Sequence, residues 1–279
     1  MLKQRIITAL VLLAILLPAM FATQPEWLML VALVLMVLAA WEWGQLNGYS
    51  KKASWWIALD CAALCAVAWR LGLPYRSTPT LWILAGCVWV LLGALLLQRG
   101  VAGWPRMHRW MRIVGGVLAL TLAWLAVAQA RVIGINLLLS ILVLVWGADV
   151  FAYFAGRAFG RRKLAINISP GKSWEGVWGG MAGVLLVAAV WIMVDKSWAI
   201  AVPSLYTRIA QHSLWLLALA LLFLCAMSVV GDLVESLVKR SAGAKDSSQL
   251  LPGHGGVLDR VDALLPTLPL AMMLWSIVA

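Results

Sequence analysis

The chain has 279 residues, of which 64% are hydrophobic and 12% charged, and its mean hydropathy is +0.94. These values exclude an ordinary soluble domain, in which about a quarter of residues are charged. A formal charge of +11 would suit a nucleic-acid binder, but the cations are distributed among loops between apolar runs.

Runs close to the ~20 residues that cross a bilayer as helix fall at 6–22, 27–46, 54–72, 80–97, 113–130, 134–155, 176–194, 212–231 and 262–278. They are rich in Leu, Ala, Val and Ile with interior Gly, and none has the alternating polarity of a barrel strand. Trp27, Trp41, Trp43, Trp55, Trp56, Trp110 and Trp178 lie near the ends of these runs, as in an aromatic belt. With the N-terminus in the cytosol, the inside loops hold 17 of the 22 Lys and Arg. Arg70, Arg76, Arg131, Lys196 and Arg208 are left outside. The positive-inside rule therefore sets the orientation. The expected fold class is all-α, a polytopic integral membrane protein with about nine transmembrane helices and a cytosolic N-terminus.

The first run follows Lys3 and Arg5, but it is long for a signal peptide and no clean cleavage site follows, so it reads as a retained helix. One continuous membrane domain is expected. Residues 1–130 form N-terminal transmembrane helices with little chemistry, and residues 131–279 form the catalytic region. Glu42 and Asp60, isolated acids inside spans, read as structural. Cys61, Cys65, Cys87 and Cys225 all lie in spans without zinc-ligand spacing and read as packing residues.

The second half is different. Asp149 lies near the cytosolic end of its span, and the basic loop Arg157, Arg161, Arg162, Lys163 follows, which topology alone accounts for in part. Ser169-Pro170-Gly171-Lys172-Ser173-Trp174-Glu175-Gly176 comes next. Pro170 and Gly171 predict a turn, and Ser169, Lys172 and Ser173 offer donors to phosphate oxygens. A P-loop is excluded, because the glycine it needs five residues before Gly171 is Ile166.

The polar block from Gly231 to Asp262 holds 5 of the chain's 11 acids: Asp232, Glu235, Asp246, Asp259 and Asp262. At helical spacing Asp232, Glu235, Ser236 and Lys239 share one face, with Arg240 beside it. Lys245-Asp246 follows, then the glycine-rich Pro252-Gly253-His254-Gly255-Gly256 and Asp259, Arg260, Asp262. Carboxylates converging at a membrane edge can hold Mg²⁺, and neighbouring Lys and Arg can neutralise a polyphosphate.

Ser236-x-x-Lys239-Arg240, four residues, Lys245-Asp246, and on to Pro252-x-His254-Gly255-Gly256-x-x-Asp259-Arg260-x-Asp262 resembles, over 27 residues, the signature of the phosphatidate cytidylyltransferase (CDP-diacylglycerol synthase) family. The Ser169–Gly176 run is similar to that family's second conserved loop, with Ser173 where threonine is common. The resemblance implies transfer of CMP from CTP to phosphatidate, giving CDP-diacylglycerol and pyrophosphate. It implies Asp232, Asp259, Asp246 and Asp262 as metal ligands for Mg²⁺, with or without a second cation. Asp232, Asp246, Asp259, Lys239 and Arg240 would form the catalytic set. Ser169, Lys172, Ser173, Ser236, Lys245, His254, Gly255, Gly256 and Arg260 would bind substrate. CTP, phosphatidate and the lipid bilayer are the implied partners, without nucleic acid, and a homodimer is compatible. The implied location is a bacterial-type inner membrane, multi-pass, with the site facing the cytosol. Two rivals are weaker. A CDP-alcohol phosphatidyltransferase needs an Asp-Gly, Ala-Arg signature that is absent, and an ion-coupled transporter would favour matching halves with broken helices.

Overall fold

The computed structural model describes residues 2–278, with side chains from Gln4 onward. Its framework is helical: α1 Leu2–Phe21, α2 Glu26–Leu46, α3 Lys51–Arg70, α4 Pro79–Gly103, α5 Arg109–Ile133, α6 Ile135–Phe159, α7 Trp174–Ser197, α8 Leu205–His212, α9 Leu214–Ser241, α10 Leu258–Val261 and α11 Leu264–Ile277. Among the described residues, seven helices are long and apolar enough to cross a membrane: α1, α2, α4, α5, α6, α7 and α9. The two remaining expected spans, α3 and α11, fall outside that set. Lys51, Lys52, Asp60 and Arg70 make α3 too polar. With 14 residues, α11 is about 21 Å long at 1.5 Å per residue, short of the ~30 Å hydrocarbon core. It is buried from Leu264 to Met272 and packs against α4, α5, α6 and α9 as a central post.

Two elements depart from the sequence reading. Ser169–Ser173 is a strand, β2, antiparallel to β1 Lys163–Ala165, with Lys163 opposite Ser173 and Ala165 opposite Ser169. The turn therefore falls at residues 166–168 rather than at Pro170-Gly171, because Pro170 is confined to an extended φ and loses only an edge donor. The eight-residue α8 lies in an expected loop, capped where the Ser204 hydroxyl accepts the Thr207 N–H at 3.2 Å. Trp43 leaves the belt: it is buried, and its indole donates to the Arg112 carbonyl at 3.0 Å. The four cysteines are free thiols, Cys61, Cys65 and Cys225 buried and Cys87 exposed.

The bundle has two chemically different ends. At one, Arg131 donates to the Met20 carbonyl at 3.0 Å and Arg208 to the Val278 carbonyl at 3.0 Å. There Asp195 is buried but fully engaged, accepting from Asn136 at 3.0 Å, Ser204 N–H at 3.0 Å and Thr207 at 2.6 Å. A buried carboxylate with both oxygens hydrogen-bonded is a structural joint. The start of α1 belongs to the opposite end, where Thr8 donates to the Pro252 carbonyl at 2.9 Å. The hairpin and the whole polar block gather there too.

Candidate active site

The site is built on α9, which runs ten residues past the apolar stretch that ends at Gly231. Its last three turns present Asp232, Glu235, Ser236 and Lys239 as the spacing predicts. The Ser236 hydroxyl donates to Asp232 Oδ1 at 3.2 Å, and Lys239 pairs with Glu235 one turn earlier. The hairpin docks beside this helix. Lys172 on β2 reaches Asp232 Oδ2 at 2.6 Å, and Arg240 Nε donates to the Ile168 carbonyl at 3.3 Å. The Ser169–Gly176 run therefore docks on the helix that carries the start of the second segment, with Lys172 on Asp232 one turn before Ser236.

Asp259, at the start of α10, is the second centre. Lys239 Nζ binds its Oδ1 at 2.6 Å. Its Oδ2 accepts from Ser247 N–H at 2.9 Å, Ser247 hydroxyl at 2.9 Å and Gly256 N–H at 2.7 Å. Burial pulls this carboxyl upward, but Lys239 and the Gly256 and Ser247 N–H groups together hold it below the usual carboxylate range. Asp232 and Asp259 do not touch; each holds its own lysine. Glu235, which shares Lys239 with Asp259, is buried at 3% exposure, and its Oε1 has no hydrogen-bond partner. Asp262 packs its carbonyl against Gly231, and its Oδ1 accepts its neighbour Ala263 N–H at 2.8 Å.

The remaining expected residues separate by role. Gly255 needs its φ of +83°, and a Cβ there would lie 2.7 Å from Asp259 Oδ2. Arg260 donates to the His254 carbonyl at 3.0 Å, closing the turn in which Leu251 N–H bonds Gly255 O at 2.8 Å. His254 Nδ1 is buried without a partner. The Ser173 hydroxyl caps α7, accepting from Gly176 N–H at 3.2 Å, and lines the cavity described below with its own O–H still available to donate. Ser169 opens β2. Lys245 and Asp246 are exposed, the latter with its Cβ beside Gly255.

Sequence reasoning missed Glu42, which was read as an isolated structural acid. It is fully buried on α2 and accepts from Val257 N–H at 2.9 Å, Leu258 N–H at 2.7 Å, Ser247 hydroxyl at 3.1 Å and the Ser248 hydroxyl. It thus holds the loop that carries Asp259 from the far side. An acid inside a span was the only signal, and the partners lie more than 200 residues away.

A cavity of about 440 Å³ opens between α6, α7, β2 and α9, with Asp149, Lys172 and Asp232 at its polar end. Ala148, Val177, Gly180, Cys225 and Val229 form its apolar foot. An amphipathic cavity of this kind accommodates a lipid with a charged head.

Residues 3–278 match the cytidylyltransferase family. The chain belongs to that family. It is 41% identical over 281 positions to a phosphatidate cytidylyltransferase of Pseudomonas aeruginosa, covering 99% of this chain and 98% of that protein. A protein of the same name from Haemophilus influenzae is 34% identical and covers 96% of each chain. One from Bacillus subtilis is 38% identical over 52% of this chain. The family membership agrees with the resemblance carried by residues 236–262.

Proposed function

We propose that this protein transfers the CMP moiety of CTP to phosphatidate, releasing pyrophosphate and forming CDP-diacylglycerol. The observation that carries this reading is the contact between Lys172 and Asp232, which seats the Ser169–Gly176 run on the helix leading into residues 236–262, at the polar end of one amphipathic cavity. A phosphate monoester oxygen of phosphatidate forms the new P–O bond at the α-phosphorus of CTP. The bond from that phosphorus to the α,β-bridging oxygen breaks, and pyrophosphate leaves with the electron pair. Phosphatidate is already ionised, so no general base is required. Lys172 and Lys239 place positive charge at the two carboxylate centres, where it neutralises phosphate oxygens as negative charge develops. Arg240, Lys245 and Arg260 sit around the polar end and add to its cationic field.

The residues present fit a hard divalent cation. Asp149, Asp232, Glu235, Asp259 and Asp262 outnumber the partly buried Lys172 and Lys239, and Glu235 Oε1 has no donor. Among the described residues no three acids close on one point, so a cation there would need water and phosphate oxygens to complete its ligands, as Mg²⁺ commonly does. Asp232, Asp259 and Asp262 would hold it, with Asp246 at the rim, and bound there it would supply charge neutralisation to the polyphosphate. A second cation would have the same acids to draw on.

The polar end is the cytosolic face in this reading, and nine crossings, with α3 and the short α11 included, place the N-terminus there. The Thr8–Pro252 bond, which ties α1 to the polar block, supports it. So does the bias of basic loops toward that end. The location is then the inner membrane of a bacterial-type cell. Every named residue comes from one chain, so a homodimer is compatible but not required.

Labelled CTP and phosphatidate supplied in detergent, with and without Mg²⁺, should yield a lipid-bound cytidine only when the metal is present. Asp232→Asn should abolish that product while the melting temperature is retained. Labelled product at the wild-type rate in this variant would remove Asp232 from the chemistry. Movement of solute without any new lipid would instead favour a transporter.

A further inference from the structure

A second, larger concavity, of about 690 Å³, lies outside the site just described. Its walls are the last turn of α6, the link 160–162 and the first turns of α7, and it includes Arg157, Phe159, Arg161, Arg162, Trp174 and Trp178. Three arginines face one carboxylate, and that carboxylate is engaged elsewhere: Glu175 accepts the backbone N–H of Arg161 at 3.1 Å and of Arg162 at 3.2 Å. Among the described residues no ion pair joins Arg157, Arg161 or Arg162 to an acid. Arg157 makes one side-chain bond, from Nη1 to the Tyr153 hydroxyl at 3.1 Å. The backbone clamp by Glu175 fixes the link, and so presents the guanidinium groups outward.

The aromatic residues set the environment. Phe159 is 70% exposed, Trp178 60% and Trp174 46%, all at the level where two apolar helices end. Exposed Trp beside Arg at such a level belongs to the headgroup zone of a bilayer. Guanidinium groups bind phosphate oxygens in a two-pronged geometry that favours a terminal, doubly ionised monoester. Arg157 also lines the cavity that holds Lys172 and Asp232, so the two spaces share a wall.

We propose that this groove is a lipid-phosphate docking site, which captures the phosphomonoester head of phosphatidate at the membrane surface and passes it over Arg157 into the cavity between α6, α7 and α9. The assignment rests on the transfer reaction proposed above for the identity of the lipid. The chemistry of the groove stands on its own residues.

The test uses Arg161→Gln/Arg162→Gln and the charge-keeping Arg161→Lys/Arg162→Lys in the full-length protein. Both residues are exposed, and a thermal melt checks that each variant folds. In mixed micelles at saturating CTP, the Gln pair should raise the KM for phosphatidate, as mole fraction, by about tenfold, with partial recovery in the Lys pair. The KM for CTP and kcat should stay unchanged. Native mass spectrometry of the purified protein should show phosphatidate adducts retained over phosphatidylcholine and phosphatidylglycerol, and the Gln pair should lose that preference. An unchanged lipid KM with equal adducts overturns the proposal. A rise in the KM for CTP reassigns the groove to nucleotide, and equal retention of phosphatidylglycerol overturns the monoester assignment. If the wild type forms no cytidine lipid, the reaction is wrong, and the adduct measurement still decides the groove.

Discussion

Glu42 shows how one residue far from the chemistry can govern it. Its two oxygens accept four donors from residues 247–258, and a Cβ on Gly256 would come within 2.5 Å of Oε1. Replacing it with Ala leaves the Val257 and Leu258 N–H groups and the Ser248 hydroxyl without an acceptor, while the Ser247 hydroxyl keeps Asp259. Each orphaned group costs about 1–3 kcal/mol. Glu42→Ala should therefore lower the melting temperature sharply and remove activity by loosening Asp259. Glu42→Gln should fall between Ala and wild type in both measurements, since one acceptor oxygen remains. A Glu42→Ala enzyme with wild-type kcat would show that the loop holds itself. Lys239 is the reciprocal case, one cation serving Glu235 and Asp259. Lys239→Met strands two carboxylates, and breaking a buried pair costs about 3–5 kcal/mol. Adding Glu235→Gln should restore part of the lost thermal stability and none of the activity, because the phosphate-facing charge is still missing. The face shared by Asp232, Glu235, Ser236 and Lys239 was legible in the sequence, since helical spacing alone places them together. Their partners were not, because nothing local links Lys172 to Asp232 or Glu42 to Val257.

At the scale of elements, apolar runs located the helices but not where they end. Hydropathy reports which residues leave water, whereas backbone hydrogen bonding continues wherever tertiary contacts repay it. So α9 outlasts its apolar run and carries the site, while α11 stops short because a buried post need not match the bilayer. The β1–β2 hairpin escaped notice for a related reason: strands this short have no periodicity to read. The close packing of α6 on α7 depends on small residues, as expected where helices associate without a hydrophobic gradient. A Cβ on Gly180 would lie 2.8 Å from the Ala148 carbonyl, a backbone atom that cannot swing away. Gly180→Val should separate the two helices where they frame the 440 Å³ cavity. The expected result is a lower melting temperature and a rise in the KM for phosphatidate larger than that for CTP. An equal rise for both substrates would mean that the cavity foot does not hold the lipid.

For the whole molecule, charge and contact divide the bundle in the same way. The polar end gathers the hairpin, the Asp259 loop, the start of α1 and the Arg109 contact with the Asn47 carbonyl at 3.2 Å. The other end gathers Arg131 and Arg208, both bonded to backbone carbonyls, and the sealed Asp195 joint. Counting Lys and Arg along the sequence reached the same division without coordinates, since crossing a bilayer forces successive loops to alternate sides. The proposed reaction then sets the expected sidedness: CTP is a cytosolic, membrane-impermeant polyanion, so the end bearing Lys172 and Lys239 should face the cytosol. Cysteine labelling checks this. In a Cys87→Ser background, with the other three native thiols buried, single cysteines replace Ala201 at one end and Gln249 at the other, both exposed. A membrane-impermeant maleimide applied to intact spheroplasts should label Ala201→Cys and spare Gln249→Cys until the membrane is opened. The reverse pattern would put the carboxylates and their lysines on the wrong side for CTP, and the proposed reaction could not be sustained in the cell.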